Sequence, residues 1–243
     1  MIMLARDMSK PARNPPDSKP VSFSFNRPFK SVYLFRITLL NTEPLVWRRI
    51  QVPDTYTFWD LHVAITDAMP WLDYHLHVFR VRNPKTKRKI LLGIPDDDGE
   101  LNHKPCENYQ ISDFFTVKNP RAEYCYDFGD SWEHVIELEE VEPREAGVGY
   151  PRCIDGRNAC PPDDVGGISG YHRFKEIIRN PEHEEYREKL GWAQMITGHR
   201  FDPTCFDPAK VRFDDPTKRY MVAFEDHEVT PDMRGWDDIK RLG

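Results

Sequence analysis

Three histidines in the middle of the chain have the type and spacing of metal ligands. His75 and His77 are separated by one residue, so on a strand they would project from one face with their Cα atoms about 6–7 Å apart. Two imidazoles in that arrangement can bind zinc or another divalent ion if a neighbouring strand supplies a third ligand. We expect His134 to supply it. The sequence thus predicts a divalent site (Zn, Mn or Mg) with His75, His77 and His134 as ligands.

Aspartates near these histidines extend the candidate site. Asp127 and Asp130 lie in the segment Tyr126-Asp127-Phe128-Gly129-Asp130-Ser131-Trp132, where a carboxylate could act as a ligand or as a general base. We take both as candidate catalytic residues. Asp163 and Asp164 would add carboxylates for Mg²⁺ or Mn²⁺ if their proline-rich loop folds back onto the hairpin.

Each of these residues also has a purely structural interpretation. His75 and His77 could form hydrogen bonds on a half-buried sheet surface, and His134 shares the apolar face of its strand with Trp132, which is typical of a buried core histidine. Aspartates beside a glycine commonly form turns by bonding their own backbone. Both interpretations therefore stay open.

Aromatic residues beside the same turn suggest a binding pocket. We expect Tyr126, Gly129 and Trp132 to line it, because aromatic and polar groups that converge on one concave surface are typical of ligand sites. Gly129 is expected to be the left-handed residue of the turn.

Hydrophobic patterning indicates mainly antiparallel strands with helices added. A capping box is expected at Thr57 and Asp60, and Tyr220 to Phe224 reads as an edge strand. We predict an α+β fold: a single domain with a mainly antiparallel sheet, one early crossover helix and a helical C-terminal part. The expected strands are 31–40, 46–52, 75–81, 89–94, 122–126 and 132–141, and the expected helices begin near residues 57, 170 and 184.

Composition bounds the setting of this domain. The 243 residues carry a net charge of −6 and only five cysteines, which excludes a disulfide scaffold and makes general nucleic-acid binding unfavourable. No apolar run is long enough for a membrane span or a signal peptide. We expect a cytoplasmic protein with no membrane association. Its three parts would be a disordered basic leader (1–30), the α+β domain (31–213) and a C-terminal extension (214–243).

Several segments in the same order resemble one known family. They are Val46-Trp47-Arg48-Arg49-Ile50, Trp71 with His75-Leu76-His77-Val78-Phe79, Tyr126 to His134, and Pro151 to Tyr171. Together they resemble the Ri-plasmid (pRiA4b) open-reading-frame-three family of plasmid- and transposon-associated proteins. The resemblance covers residues 31–213 and implies a single α+β domain and an association with mobile elements, but no defined activity.

Two functions are compatible with these observations. The first is an intracellular, mobile-element-associated binding or accessory module whose partner is a protein or a small molecule. The second is a metal-dependent hydrolase, for example a nuclease, in which the histidines hold a divalent metal and an aspartate acts as ligand or base.

Overall fold

One antiparallel sheet organises the protein. The structure is a computed structural model that describes residues 27–95 and 102–224. Those residues contain eight strands: β1 Ser31–Leu39, β2 Val46–Pro53, β3 His77–Arg82, β4 Lys89–Gly93, β5 Lys104–Pro105, β6 Arg121–Tyr126, β7 Trp132–Pro143 and β8 Arg152–Arg157. They form the sheet in the order β5-β4-β3-β6-β7-β1-β2-β8, and every neighbouring pair is antiparallel except β4 with β5.

Both strands of the first hairpin, β1 and β2, have a neighbouring strand on each side. β1 pairs with β2 on one side and β7 on the other. Its residues Phe35, Ile37 and Leu39 are fully buried on the core face, because alternate side chains of a strand point to the same face.

The first helix, α1 (Phe58–Ala68), carries the chain from β2 to β3, across the three strands that lie between them. Its capping box forms as predicted: the Thr57 hydroxyl accepts from the Asp60 backbone N–H, and the Asp60 carboxylate accepts from the Thr57 N–H. Every residue of α1 is buried. Both faces of α1 are therefore covered, one of them by the sheet.

The remaining α-helices follow the last strand. They are α2 Gly167–Arg179, α3 Tyr186–Thr197 and α4 Pro216–Phe224, and three short 3₁₀ helices span 106–108, 111–113 and 208–210. α4 packs on α1, with the rings of Tyr220 and Phe224 each 5.6 Å from that of Trp59. No helix in the described ranges has the length and apolar character needed to cross a bilayer.

The predicted class, a single α+β domain with a mainly antiparallel sheet, is confirmed, but two local predictions are wrong. Tyr220 to Phe224 is helical because its apolar residues pack on α1 instead of pairing with a strand. The segment from Glu142 to Val165, whose prolines predict a loop, contains β8, which pairs with β2. Most of the predicted leader, part of the 95–108 loop and residues 225–243 lie outside the described residues.

Candidate metal centre

Three chain segments meet at one end of the sheet. They are the bend that precedes β3 (73–76), the β6–β7 turn (127–131) and the segment that leads into α2 (163–167). The Asp127 N–H donates to the carbonyl of Leu76 at 2.9 Å, which joins the first two segments. The Gly166 N–H donates to Asp130 Oδ2 at 3.1 Å, which joins the turn to the third.

His75, Asp127 and Asp164 bring their polar atoms together where these segments meet. His75 Nε2 lies 3.5 Å from Asp127 Oδ2 and 3.1 Å from Asp164 Oδ1. The three ligand atoms lie within 4.8 Å of one another, and no other group of three or more such residues does so in the part of the chain that the structure describes. Metal–ligand bonds of about 2.0–2.2 Å place neighbouring ligand atoms about 2.8–3.6 Å apart. The two distances from His75 Nε2, 3.1 and 3.5 Å, fall in this range.

Solvent reaches this cluster from one side. The side chains of Asp127, His75 and Asp164 are 8%, 25% and 55% exposed. A structural zinc site normally has four protein ligands and is closed, whereas a catalytic site has three and keeps a position open for water or substrate. The cluster has the second pattern.

Without an ion, the same residues form an ion pair that shifts their pKa values. Burial lowers the pKa of His75, but the hydrogen bond to Asp164 and the charges of Asp127 and Asp164 outweigh it, so the pKa is raised. The hydrogen bond from His75 lowers the pKa of Asp164 despite its partial burial. The hydroxyl of Tyr74 also donates to Asp164, at 2.5 Å. Asp164 is thus held as a carboxylate by two neighbours.

Asp163 lies beside this cluster and is almost completely buried. Its Oδ2 accepts from the Leu72 N–H at 2.8 Å, whereas its Oδ1 has no hydrogen-bond partner among the described residues. Burial raises the pKa of Asp163 to about 7. Buried polar atoms are rarely left unpaired, so the free oxygen points to a ligand or a water molecule at this position.

The structure does not assemble the predicted set of His75, His77 and His134. β3 begins at His77, so His75 lies in the preceding bend and the alternation that would align the two rings does not apply. The His77 ring is fully buried, stacked on His62 with the centroids 3.5 Å apart, and its Nε2 is 3.5 Å from Cys106 Sγ. The prediction that His77 joins His75 in one ligand group is wrong for the geometry seen here.

His134 is a buried core histidine, in line with its structural interpretation. Its Nδ1 lies 3.4 Å from the Tyr124 carbonyl, and the edge of its ring meets Trp71 at 5.4 Å. Burial lowers the pKa of His134 to about 4. The ring is therefore neutral near pH 7 and does not join the cluster around His75.

The structure does not form the predicted pocket of Tyr126, Gly129 and Trp132, because no open cavity lies beside the two aromatic rings among the residues that the structure describes. Tyr126 and Trp132 are fully buried, and Trp71 stacks on them at 4.9 and 6.0 Å. These three rings form a closely stacked layer with no space for a ligand between them. The layer lies next to the cluster, since the rings of Tyr126 and His75 are 5.8 Å apart. An open groove of about 750 Å³ lies elsewhere, lined by residues such as Arg49 and Glu139 that pair with each other.

The β6–β7 turn differs from its prediction in one detail. Its left-handed residues are Asp127 (φ 56°) and Ser131 (φ 54°), and Gly129 is not one of them. Asp127 tolerates this conformation because its Oδ1 accepts from the Gly129 N–H at 2.9 Å. The other oxygen is left to face His75. Asp130 bonds to Gly166 and is not part of the cluster.

A buried polar network lies behind the cluster, and sequence reasoning missed it. Asp73 Oδ1 is 2.8 Å from His62 Nε2, and Asp73 Oδ2 is 3.0 Å from Arg219 Nη1. Burial raises the pKa of Asp73, but His62 and Arg219 outweigh it and the pKa is lowered. No local pattern indicates this pairing, because Arg219 follows Asp73 by 146 residues.

Comparisons with known proteins give relatives without a defined activity. The family model described as "Plasmid pRiA4b ORF-3-like protein" matches residues 31–210. "Uncharacterized protein y4hQ" of Sinorhizobium fredii (strain NBRC 101917 / NGR234) is 37% identical over 166 residues, which are 67% of this chain and 81% of the relative. The crystal structure of the protein of unknown function MM3350 from Methanosarcina mazei Go1 is similar with a TM-score of 0.70 and 42% identity, over 76% of this chain and 100% of that one.

Proposed function

The chain belongs to the plasmid pRiA4b ORF-3-like family, and from that premise we propose that it is a divalent-metal-dependent hydrolase. The observation that carries this proposal is the convergence of His75, Asp127 and Asp164 within 4.8 Å. The proposed ligand set keeps His75 from the sequence prediction, takes Asp127 as a ligand, and replaces His77 and His134 with Asp164.

The ligand types favour particular metals. One imidazole with two carboxylates suits Zn²⁺ or Mn²⁺ better than Ca²⁺ or Mg²⁺, which are bound mainly by oxygen atoms. The exposed side of the cluster supports coordination of water and substrate, since three protein ligands leave positions free. The two carboxylates balance the charge of one divalent ion while His75 is neutral.

A bound divalent ion would lower the pKa of a coordinated water and polarise the bond to be hydrolysed. The proton of that water needs an acceptor. We assign this role to Asp163, because its Oδ1 has no hydrogen-bond partner in the described part of the chain and its charge acts on His75. Asp130, the other candidate base, is engaged with the backbone of Gly166.

A binding or accessory module, the first of the two functions that the sequence suggests, is the second candidate here. The observation that favours it is the pair of half-exposed aromatic rings at the site, Tyr74 and Phe128, each 38% exposed. Rings beside a cation could contact a protein or a small molecule without any reaction. Under both candidates we propose a cytoplasmic, mobile-element-associated protein. The division at residues 30 and 213 is also kept as a proposal.

Metal binding is tested by titrating the full-length protein, stripped of metal, with Mn²⁺ and Zn²⁺ in a calorimeter. We expect one ion per chain, and His75→Ala, Asp127→Asn and Asp164→Asn should each weaken binding at least tenfold because each removes one ligand. His172→Ala, which removes an exposed histidine on α2 outside the cluster, should leave the affinity unchanged. Equal binding by wild type and all three ligand variants would remove this site from the proposal.

Hydrolysis is tested separately with chromogenic phosphate and carboxylate esters of p-nitrophenol. The proposal expects turnover of at least one class with Mn²⁺ or Zn²⁺, loss of turnover with a chelator, and at least a hundredfold lower rate in Asp163→Asn with metal still bound. A protein that binds the metal at His75 and cleaves neither class would favour the binding module.

A further inference from the structure

We propose that helix α4 positions His75 through Arg219 and Asp73, and that it thereby tunes the affinity of the proposed metal centre. The inference rests on the proposed function, because it concerns the same site. Arg219 acts as a positioning residue, since it contacts the bend that carries His75 and does not contact His75 itself.

Arg219 is anchored in a buried acidic pocket. It is 3% exposed, its Nη2 lies 2.8 Å from Asp67 Oδ1 and also contacts Asp214, and its Nη1 lies 3.0 Å from Asp73 Oδ2. The planar guanidinium presents several N–H groups in a fixed geometry, which lets one side chain join these carboxylates. Its position is therefore fixed on α1, through Asp67, and on the bend before β3, through Asp73.

Asp73 is held on both sides in an unfavourable backbone conformation. Its φ of 62° lies in the left-handed region, which few residues other than glycine adopt. One carboxylate oxygen contacts Arg219 and the other contacts His62. Such strain persists only where neighbouring groups hold the residue in place. Loss of Arg219 removes one of the two side-chain contacts that hold Asp73.

The bend that contains Asp73 also carries His75, so the position of Asp73 affects the proposed ligands. Tyr74 and His75 follow Asp73 in the chain, and both bind Asp164. A change in the backbone at Asp73 therefore moves the His75 imidazole relative to the Asp164 carboxylate. Metal affinity is sensitive to such shifts, because loss of a residue that orients a ligand typically lowers the affinity by about 10–100-fold.

The contact comes from a segment outside the region matched by the family. The family match ends at residue 210, whereas α4 spans Pro216–Phe224. Besides Arg219, α4 is held by the indole N–H of Trp59, which donates to the Pro216 carbonyl at 2.8 Å. α4 thus joins an element beyond the matched region to the bend inside it, and a change in its docking would reach His75.

The test compares Arg219→Ala, Arg219→Lys and Arg212→Ala in the full-length chain. We expect at least tenfold weaker Mn²⁺ binding in Arg219→Ala and an intermediate value in Arg219→Lys, which keeps the charge but not the planar guanidinium. Arg212→Ala should leave binding unchanged, because the Arg212 guanidinium donates to the nearby backbone carbonyls of Ala209 and Val211. Affinities are compared well below each melting temperature, with circular dichroism to verify folding.

A spectroscopic signature separates positioning from general destabilisation. Co²⁺ in place of Mn²⁺ gives an absorption spectrum that reports ligand geometry, and we expect the Arg219→Ala spectrum to change. A folded Ile50→Val variant, which is destabilised in the core at β2, should keep the spectrum of wild type. If Arg219→Ala does not fold, Asp73→Asn carries the test with the same expectation. Wild-type affinity and spectrum in a folded variant at either position would overturn this inference. Absence of metal binding in the wild type would instead overturn the proposed function.

Discussion

Asp127 shows how one side chain can serve the fold and the proposed chemistry together. Its Oδ1 accepts from the Gly129 N–H and stabilises a left-handed turn, while its Oδ2 faces His75. The three candidate histidines differ in their surroundings. His75 is partly exposed among carboxylates, whereas His77 and His134 are fully buried. Burial disfavours charge at His77 and His134, so the proposed ion is assigned to His75.

The two buried histidines predict that acid destabilises the protein. The pKa of His134 falls from 6.5 to about 4 on burial, and that of His77 is also lowered. Between these pH values the unfolded state gains protons that the folded state does not bind, so stability is lost as the pH falls from 6.5 towards 4. His134 alone contributes up to about 3 kcal/mol to this loss.

Urea unfolding at several pH values measures this effect. His134→Phe removes the titrating group and keeps an aromatic ring, so its free energy of unfolding should fall by about 3 kcal/mol less than that of wild type over the same interval. Parallel pH curves for the two proteins would contradict the assignment of His134 as a buried neutral histidine.

At the residue scale the sequence indicates which side chains could bind a metal ion, but not which of them lie close together in the fold. It identifies His75 and Asp127, and it raises Asp164 only on condition that its loop folds back. The fold-back depends on contacts between segments some 90 residues apart, such as Tyr74 with Asp164. Spacing along the chain carries no information on those contacts. The separation of His77 from His75 depends on where β3 begins, and strand ends are poorly specified by local sequence.

At the element scale a close backbone contact fixes the third segment of the site. Gly167 begins α2 with φ at 64°, and a Cβ there would lie 2.6 Å from the Asp130 carbonyl oxygen. Only glycine fits this approach without displacing the β6–β7 turn, which carries Asp127. The start of α2 and the turn are therefore positioned together.

Gly167→Ala is expected to disturb both stability and the site. The left-handed conformation and the short contact should destabilise the protein by about 1–3 kcal/mol, and Mn²⁺ binding should weaken. The matched control is Gly191→Ala on α3, where a Cβ meets nothing within 4 Å; alanine should there be neutral or stabilising by up to about 1 kcal/mol. Thermal unfolding and calorimetric titration of both variants check this, and an unchanged Gly167→Ala protein would contradict it.

Arg219 predicts a large effect on the docking of α4. Its removal leaves Asp67, Asp73 and Asp214 buried without their shared cation, and breaking a buried ion pair in this way typically costs about 3–5 kcal/mol. Arg121→Ala, which removes an exposed pair with Glu137 on the sheet, should cost less than about 1 kcal/mol. Denaturant unfolding of the two variants compares them directly, and similar losses would show that Arg219 is not an anchor.

The same anchor helps to explain why residues 220–224 are helical although their sequence predicts a strand. Tyr220-Met221-Val222-Ala223-Phe224 is a short apolar run, and such runs fit a strand and a buried helix equally well. The helix is favoured here by the packing of Tyr220 and Phe224 on Trp59 and by the Arg219 pocket. None of these partners is close in sequence. In contrast, the capping box at Thr57 and the two long hairpins depend on neighbouring residues and were predicted correctly.

At the scale of the whole molecule, the two faces of the sheet differ: one packs against the core and the other carries charged side chains. Its core face packs against α1, and the other face carries ion pairs between strands, such as Arg80 with Glu133 and Arg49 with Glu139. The candidate metal centre lies at one end of this sheet, where segments from three parts of the chain converge. Binding and catalytic residues are commonly found on loops that a rigid scaffold positions. The fold class was predictable from local patterns, whereas the site depends on how distant segments pack.

The central claim is that His75, Asp127 and Asp164 share one divalent ion. Crystals of the full-length protein grown with Mn²⁺ can be measured at a wavelength where manganese scatters anomalously. We expect one strong anomalous peak about 2.0–2.3 Å from His75 Nε2 and from one oxygen each of Asp127 and Asp164, with the peak absent in His75→Ala crystals. A Mn²⁺-saturated crystal with no peak at these three side chains, or with its peak at other residues, would contradict the claim.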